Sequence, residues 1–359
     1  MPTVVFYALT FLAALAVLII VHELGHFLMA KRLGVRVLRF SVGIGPVIFS
    51  RQIGETEYAI SAVPIGGYVK MLGEDDVEVL SSTDVDRAFS ARPLSHRALI
   101  VAAGPAFNFA FALLVYVALH LFYGMAMPSE LPRVAAVTPG MPAAAGGLAA
   151  GDLITTLDGE PIATWDELAG GVRNSGGRAV RVGFRRGHED RMVTVTPERR
   201  RTKDLFGEVT GETYLIGVVR DTELKPVSPV SAVVLGFERT GTVTLLVYEG
   251  LYRVFTGRIS ARELGGPIAI ARTAGEQAEQ GVGPFLNALG FLSVNLAVLN
   301  FLPIPVLDGG HLFFFFVEFV TRRPLHPRHR EIAQQMGLLI LVSLMIFVFY
   351  NDIQRLLEG

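Results

Sequence analysis

VVFYALTFLAALAVLIIVHELGH, residues 4–26, decides how the rest of this chain is read. From Val4 to Ile20 the stretch holds no charged residue, and it then runs into His22-Glu23-Leu24-Gly25-His26. On a helix, two imidazoles four residues apart share one face, and the glutamate beside the first is left free to act as a base. A helix that crosses lipid needs about 20 apolar residues, so the run reads as a membrane helix with titratable groups toward its far end. An ionised side chain exposed at such depth costs about 2.5 kcal/mol and upward. Groups of that kind persist where they bind or react, so His22, Glu23 and His26 are the first candidates for chemistry.

Composition agrees with a membrane setting. Of 359 residues, 51% are hydrophobic and 18% are charged. That is too apolar for an ordinary soluble enzyme and too charged for a chain of spans alone, so a membrane protein with a soluble insert is expected. A net charge of −1 gives no reason to expect a nucleic-acid partner. There are no cysteines, which excludes disulfides and thiolate metal sites. Any metal must then be held by His, Asp or Glu. No Lys or Arg precedes Lys31, so the first apolar run lacks the basic start of a signal peptide and is expected to be a retained span.

Four segments are long and apolar enough to cross: about Val4–Met29, Ala98–Phe122, Pro284–Leu302 and Ile332–Tyr350. The expected layout is a first membrane helix (1–34), a membrane-associated β-hairpin region (35–73), a linker and second span (74–127), a soluble domain (128–222), amphipathic interfacial helices (223–283), a third span with a break (284–320), and a basic loop with a fourth span (321–359). In the hairpin, Pro46–Gln52 and Glu57–Pro64 read as short strands around Gly54-Glu55. Arg and Lys cluster after the first span (Lys31, Arg32, Arg36, Arg39), before the second (Arg87, Arg92, Arg97) and between the third and fourth (Arg322, Arg323, Arg328, Arg330). With four spans these clusters share one face, which is expected to be the cytosol, with both termini opposite. Glu238, Arg239, Glu249 and Arg253 interrupt residues 229–257, which read as one or two helices lying at the interface. A fifth span there is the alternative. It would reverse the third span and carry Asp308 away from His22 and His26.

Two histidines leave a catalytic zinc site one protein ligand short. The candidate third is Asp308 in Asn300-Phe301-Leu302-Pro303-Ile304-Pro305-Val306-Leu307-Asp308-Gly309-Gly310. Pro303 and Pro305 remove backbone donors and break the helix, and the glycine pair lets the chain turn. Broken backbone at membrane depth is tolerated only inside protein or beside a wet cavity. One Zn²⁺ on His22, His26 and Asp308 would supply an activated water to attack a peptide carbonyl, with Glu23 moving the proton. His120 reads as interfacial, His96, His326 and His329 as solvated, Glu318 as near the interface, and His311 as packing or as an outer partner of the site. Asn295 and Asn300 read either as interhelical hydrogen-bonding groups or as substrate-binding ones.

On Val21–His26, Gly43–Pro46, Ala103–Asn108, Gly265–Ile268 and Asn300–Gly310, the chain resembles the bacterial site-2 proteases, intramembrane zinc metalloproteases, and most closely the regulator-of-sigma-E protease branch. The resemblance implies His22, His26 and Asp308 as zinc ligands and Glu23 as catalytic base. It implies that Asn295, Asn300, Pro303 and Pro305 hold unwound substrate, and that the hairpin is membrane-associated. The insert resembles one bacterial PDZ domain, on Ala136–Ala144 and Gly151–Ile154, with Leu215, Ile216 and Gly217 at its peptide-binding loop. The best-known members of the branch carry two such domains in tandem, and this chain has room for one. Further implications are a bacterial inner-membrane location, a cytosol-facing site, and an insert on the periplasmic side. The implied partners are the bilayer, pre-trimmed single-span substrates such as anti-sigma factors or signal-peptide remnants, and a C-terminal peptide at the PDZ domain. The alternatives are a non-catalytic PDZ scaffold with a structural metal, against which an intact Glu23 argues, and a metal transporter, for which the second and fourth spans lack ionisable groups.

Overall fold

A computed structural model describes residues 2–74, 84–204, 207–260, 265–323 and 325–358. The chain divides into a membrane-helix unit, residues 1–122 and 229–359, and an inserted unit, residues 123–228. In the first unit, α1 (Pro2–Arg32) leads into a ribbon of β1 (Val37–Ile53) and β2 (Thr56–Met71), and α2 (Leu94–Tyr123) follows. The inserted unit contains β3 (Met125–Pro128), β4 (Val134–Val137), α3 (Pro142–Ala145), β5 (Leu153–Leu157), β6 (Glu160–Pro161), α4 (Trp165–Asn174), β7 (Val180–Arg186) and β8 (Glu189–Val195). It continues through β9 (Glu198–Lys203), β10 (Val209–Leu215), β11 (Val218–Arg220) and β12 (Thr222–Lys225). The first unit resumes with α5 (Pro229–Phe255), α6 (Pro267–Glu279), α7 (Val282–Phe301), α8 (Asp308–Thr321) and α9 (Pro327–Glu358). Among the described residues, five helices are long and apolar enough to cross a membrane: α1, α2, α5, α7 and α9.

Three observations sharpen or correct the sequence reading. The β-ribbon is much longer than the expected Pro46–Gln52 and Glu57–Pro64. Residues 57–60 register with both 39–42 and 49–52, while 67–71 register with 37–42. Two strands thus build a sheet four segments wide, folded at Gly43 (φ 91°), Gly45 (φ 88°) and Gly66 (φ 117°), where only glycine adopts the backbone without strain. Next, of the one or two helices expected over residues 229–257, the structure has one, continuous from 229 to 255, with Ala232, Gly236, Val243 and Val247 buried. Finally, the break after α7 is short: Pro303 and Pro305 interrupt the helix, and a new 14-residue helix starts at Asp308 itself.

Small residues bring α1 and α2 together. A Cβ on Gly25 would collide with the Ala103 carbonyl, and one on Gly104 would collide with the His26 ring. Backbones that touch through small residues are the common packing of membrane helices, since lipid offers no hydrophobic drive to associate. The end of α1, the base of the ribbon and the start of α2 share a core of Phe27, Ala30, Val35, Val37, Phe40, Val69, Met71 and Ile100. Asp352 on α9, 2% exposed, accepts the amides of Gly266 (2.9 Å), Ile268 (2.9 Å) and Ala269 (3.2 Å). It thereby caps α6, whose own N-cap residue is a glycine with no side chain to do so.

In the inserted unit, β6-β5-β7-β8 form an antiparallel sheet. Val134, Ile154, Leu168, Val180, Val182, Phe184 and Ile216 fill its core. Thr164 and Glu167 make a capping box at the start of α4.

Candidate active site

His22 and His26 lie one turn apart near the end of α1, and Asp308 is the first residue of α8. Their ligand-type atoms all fall within 4.8 Å of one another. His22 Nε2 is 3.0 Å from Asp308 Oδ2, His26 Nε2 is 3.5 Å from Oδ1, and the two Nε2 atoms are 3.2 Å apart. The three side chains are 12%, 11% and 18% exposed. The His22 and His26 ring centroids are 4.8 Å apart, edge to face.

The donor chemistry fits a divalent cation. His26 Nδ1 lies 2.9 Å from the Ile100 carbonyl. A carbonyl only accepts, so the neutral ring carries its proton on Nδ1 and presents a lone pair at Nε2. Asp308 Oδ2 is buried and, although close to His22, is not aligned with any hydrogen-bond donor. The two Nε2 atoms and the carboxylate thus converge on one point, each imidazole able to offer a lone pair there when its proton sits on Nδ1. Two imidazole nitrogens and a carboxylate, with space beside them, are the donor set of catalytic zinc, which takes three protein ligands and keeps one position open.

The space beside them is a cavity of about 350 Å³. Its lining includes His22, Glu23, His26, Asn300, Asp308 and His311. The β-ribbon forms one wall, and it comes close because residue 67 is glycine: a Cβ there would lie 2.9 Å from Glu23 Cγ and 2.9 Å from Ile19 Cγ2. Val306, also in the lining, has φ 106°. A β-branched residue in that region is strained, and this one sits in the break that aims Asp308 at the histidines.

The substrate-binding candidates separate. Asn300 lines the cavity, and its Nδ2 donates to the Leu296 carbonyl at 3.0 Å. Asn295, Pro303 and Pro305 are not part of the lining. Asn295 donates to the Phe291 carbonyl at 2.9 Å within its own helix, and the Pro305 carbonyl lies against Gly337 of α9. His120 contacts the Tyr116 carbonyl at 2.7 Å. Glu318 pairs with Arg97 at 2.6 Å, with both side chains 16% exposed, joining α8 to α2. Among the inserted unit's residues, Leu215, Ile216 and Gly217 line a separate cavity of about 190 Å³ beside Trp165, Leu168, Val172 and Arg173 of α4. Ile216 is itself 3% exposed and belongs to the core.

Gly104 and Asn108 lie in the Ala103–Asn108 segment that carries the resemblance, but the sequence assigns neither of them, nor Gly67, a place at the site. A glycine that makes room for an imidazole leaves no periodic signal, and Asn108 touches His22 from a position 86 residues away.

The model of peptidase family M50 matches residues 10–344. The chain belongs to peptidase family M50, the site-2 protease family. A protein of Agrobacterium fabrum named as a candidate zinc metalloprotease is 34% identical, covering 98% of this chain and 96% of its own. The zinc metalloprotease RasP of Geobacillus kaustophilus is 30% identical, covering 97% of each. Among solved structures, the PDZ domain of an SdrC-like protein from Listeria monocytogenes matches 26% of this peptidase and 90% of itself, at 24% identity and a TM-score of 0.21.

Proposed function

We propose that this peptidase cuts peptide bonds in or near the membrane spans of single-span proteins already trimmed outside the membrane, and that His22, His26 and Asp308 hold its zinc. The enzyme is a zinc metalloendopeptidase. The observation that carries the reading is the convergence of His22, His26 and Asp308 from two distant helices onto one point beside Glu23. Zinc, when bound, supplies Lewis acidity that polarises a carbonyl and acidifies water. Glu23 accepts the proton of the attacking water and returns it to the leaving amine nitrogen. Asn300 offers a polar group to substrate backbone in the same cavity.

The ribbon, folded against α1 at Gly67, contributes Gly67, Tyr68, Val69 and Met71 to the cavity lining, and a strand edge there suits an extended peptide. The inserted unit is read as one PDZ domain. Its cavity between α4 and Thr213–Val218 suits a C-terminal peptide, and the domain's bulk excludes substrates with large outer portions. Anti-sigma factors and signal-peptide remnants are the substrate classes of such an enzyme.

Four crossings suit the fold best. Tyr7 of α1 donates to Glu279 of α6 at 3.0 Å, so α7, which starts three residues later, begins at the same end as α1. Asp308 then meets His22 at the other end. The chain between α2 and α7 must therefore cross an even number of times. Among the described residues the single candidate span between them is α5, whose Val243 and Val247 pack on Ala112 and Tyr116 of α2 and Val294 and Val298 of α7; on this reading it dips in beside them and the chain returns to the outer side, and the site faces the cytosol of a bacterial inner membrane. In the purified protein, Asp308→Asn and His22→Ala are expected to lose stoichiometric zinc. Full zinc in either variant would overturn the ligand set.

A further inference from the structure

The two histidines present their Nε2 atoms only if something receives the proton on each Nδ1. A ligating imidazole is held in its tautomer by the partner of its other nitrogen, and removing such a partner costs about 10- to 100-fold in metal affinity. For His26 that partner is the Ile100 carbonyl at 2.9 Å. His22 Nδ1 faces the side-chain amide of Asn108, 3.1 Å from the atom placed as Nδ2. Asn108 is 0% exposed, and its Oδ1 is buried without a hydrogen-bond partner.

A metal-binding role for His22 selects the sense of the contact. With Nδ2 toward the ring, His22 Nδ1 would be the acceptor. The neutral ring's proton would then sit on Nε2, where it would block the metal. The oxygen and nitrogen of an amide exchange places by a half-turn. Turned round, Oδ1 accepts Nδ1–H at the same distance, Nδ2 takes the other buried place, and Nε2 is left with a lone pair toward Asp308. We infer that Asn108 is the positioning residue for His22, accepting its Nδ1 proton through Oδ1 and so setting it as a metal ligand. This rests on the ligand set proposed above.

The surrounding structure holds Asn108 in place. Ser293 Oγ of α7 donates to the Asn108 main-chain carbonyl at 2.8 Å. Ile100, Gly104 and Asn108 are spaced by four and form one stripe along α2. The stripe offers a carbonyl to His26, a gap for both rings, and an amide to His22. One face of α2 thus positions both α1 ligands while supplying none of its own.

The test is zinc affinity, measured by chelator competition on full-length protein in detergent. Wild type, His22→Ala, Asn108→Ala, Asn108→Leu and Asn108→Asp are compared, with far-UV circular dichroism of each metal-free form as the control for folding. Asn108→Leu matches the side chain's size without an acceptor, and Asn108→Ala covers the case in which leucine does not fit. Either folded variant is expected to bind zinc about 10- to 100-fold more weakly. Asn108→Asp, which can only accept from Nδ1–H, is expected to stay within a few-fold of wild type. Wild-type affinity in a folded Ala or Leu variant overturns the inference. So does a folded Asp variant that binds as poorly as Leu, because the amide would then be acting as a donor. If His22→Ala binds zinc like wild type, the ligand set itself is wrong; if it loses zinc and Asn108→Leu does not, only the role of Asn108 falls.

Discussion

At the scale of single residues, the sequence shows chemistry that is local along the chain and hides chemistry that is assembled. His22, Glu23 and His26 stand together in one turn of helix. Their spacing points to a candidate metal-binding face before any contact is known. Asp308 is legible because two prolines and a glycine pair mark its surroundings as broken helix. Asn108 and Gly104 are not, because what defines them is the ring across the helix interface. The inserted domain has a residue of the same hidden kind. Asp152, fully buried, receives two bonds of 2.8 Å from Arg186 and one of 2.8 Å from the Ala149 amide. Burial alone would push its carboxyl up, but the guanidinium fork and the amide outweigh burial and hold it below the usual carboxylate range. A lowered native pKa stabilises the fold above the unfolded value of about 3.9, and that contribution is lost as pH falls through the native one. Trp165, the chain's one tryptophan, packs on the same domain's core, so its fluorescence in the intact protein reports this domain. Thermal melts followed at Trp165 are expected to show a fall in stability on acidification below about pH 4. Asp152→Asn is expected to be less stable at neutral pH and to show a flatter acid limb. An equally steep acid limb in the variant would assign it to other carboxylates.

At the scale of elements, long apolar helices are the easiest to read, since about 20 residues without charge have few other uses. The helices α1, α2, α7 and α9 fall on the four apolar segments, a few residues longer at most ends. The ribbon is less legible. Its alternation is interrupted by glycines and prolines that look like strand ends, whereas in the fold Gly43, Gly45 and Gly66 are corners within continuous pairing. Residues 229–255 show why charge alone does not end a helix. Arg253 and Glu249 pair at 2.7 Å one turn apart, and Thr240 and Thr244 return their hydroxyls to the carbonyls four residues before them. The polar groups are thus satisfied along the helix, and it runs on unbroken. The Gly265–Ile268 segment gains its meaning from α9: a Cβ on Gly266 would strike Asp352 and Val348, so the glycine lets the buried carboxylate reach the amides of α6.

At the scale of the whole molecule, the membrane does much of the specifying. It fixes helix lengths, forbids unpaired backbone in lipid, and makes a polar cluster at depth worth explaining. It leaves open which way α5 lies. The absence of cysteines makes single-cysteine labelling in intact cells a clean readout. Cysteines replacing Gly187 and Gly257 are expected to react with a membrane-impermeant maleimide from outside. A cysteine replacing His326 is expected to react only after permeabilisation. Labelling of position 257 only after permeabilisation would mean that α5 crosses. The central claim is that a metal held by His22, His26 and Asp308 cuts peptide bonds with Glu23 as its base. The most direct measurement is cleavage of a single-span substrate in detergent by wild type and Glu23→Gln, with zinc counted on both. Equal zinc, with turnover in the variant lower by at least the roughly 10²- to 10⁴-fold of a lost general base, is the predicted result. Undiminished cleavage by Glu23→Gln would contradict it.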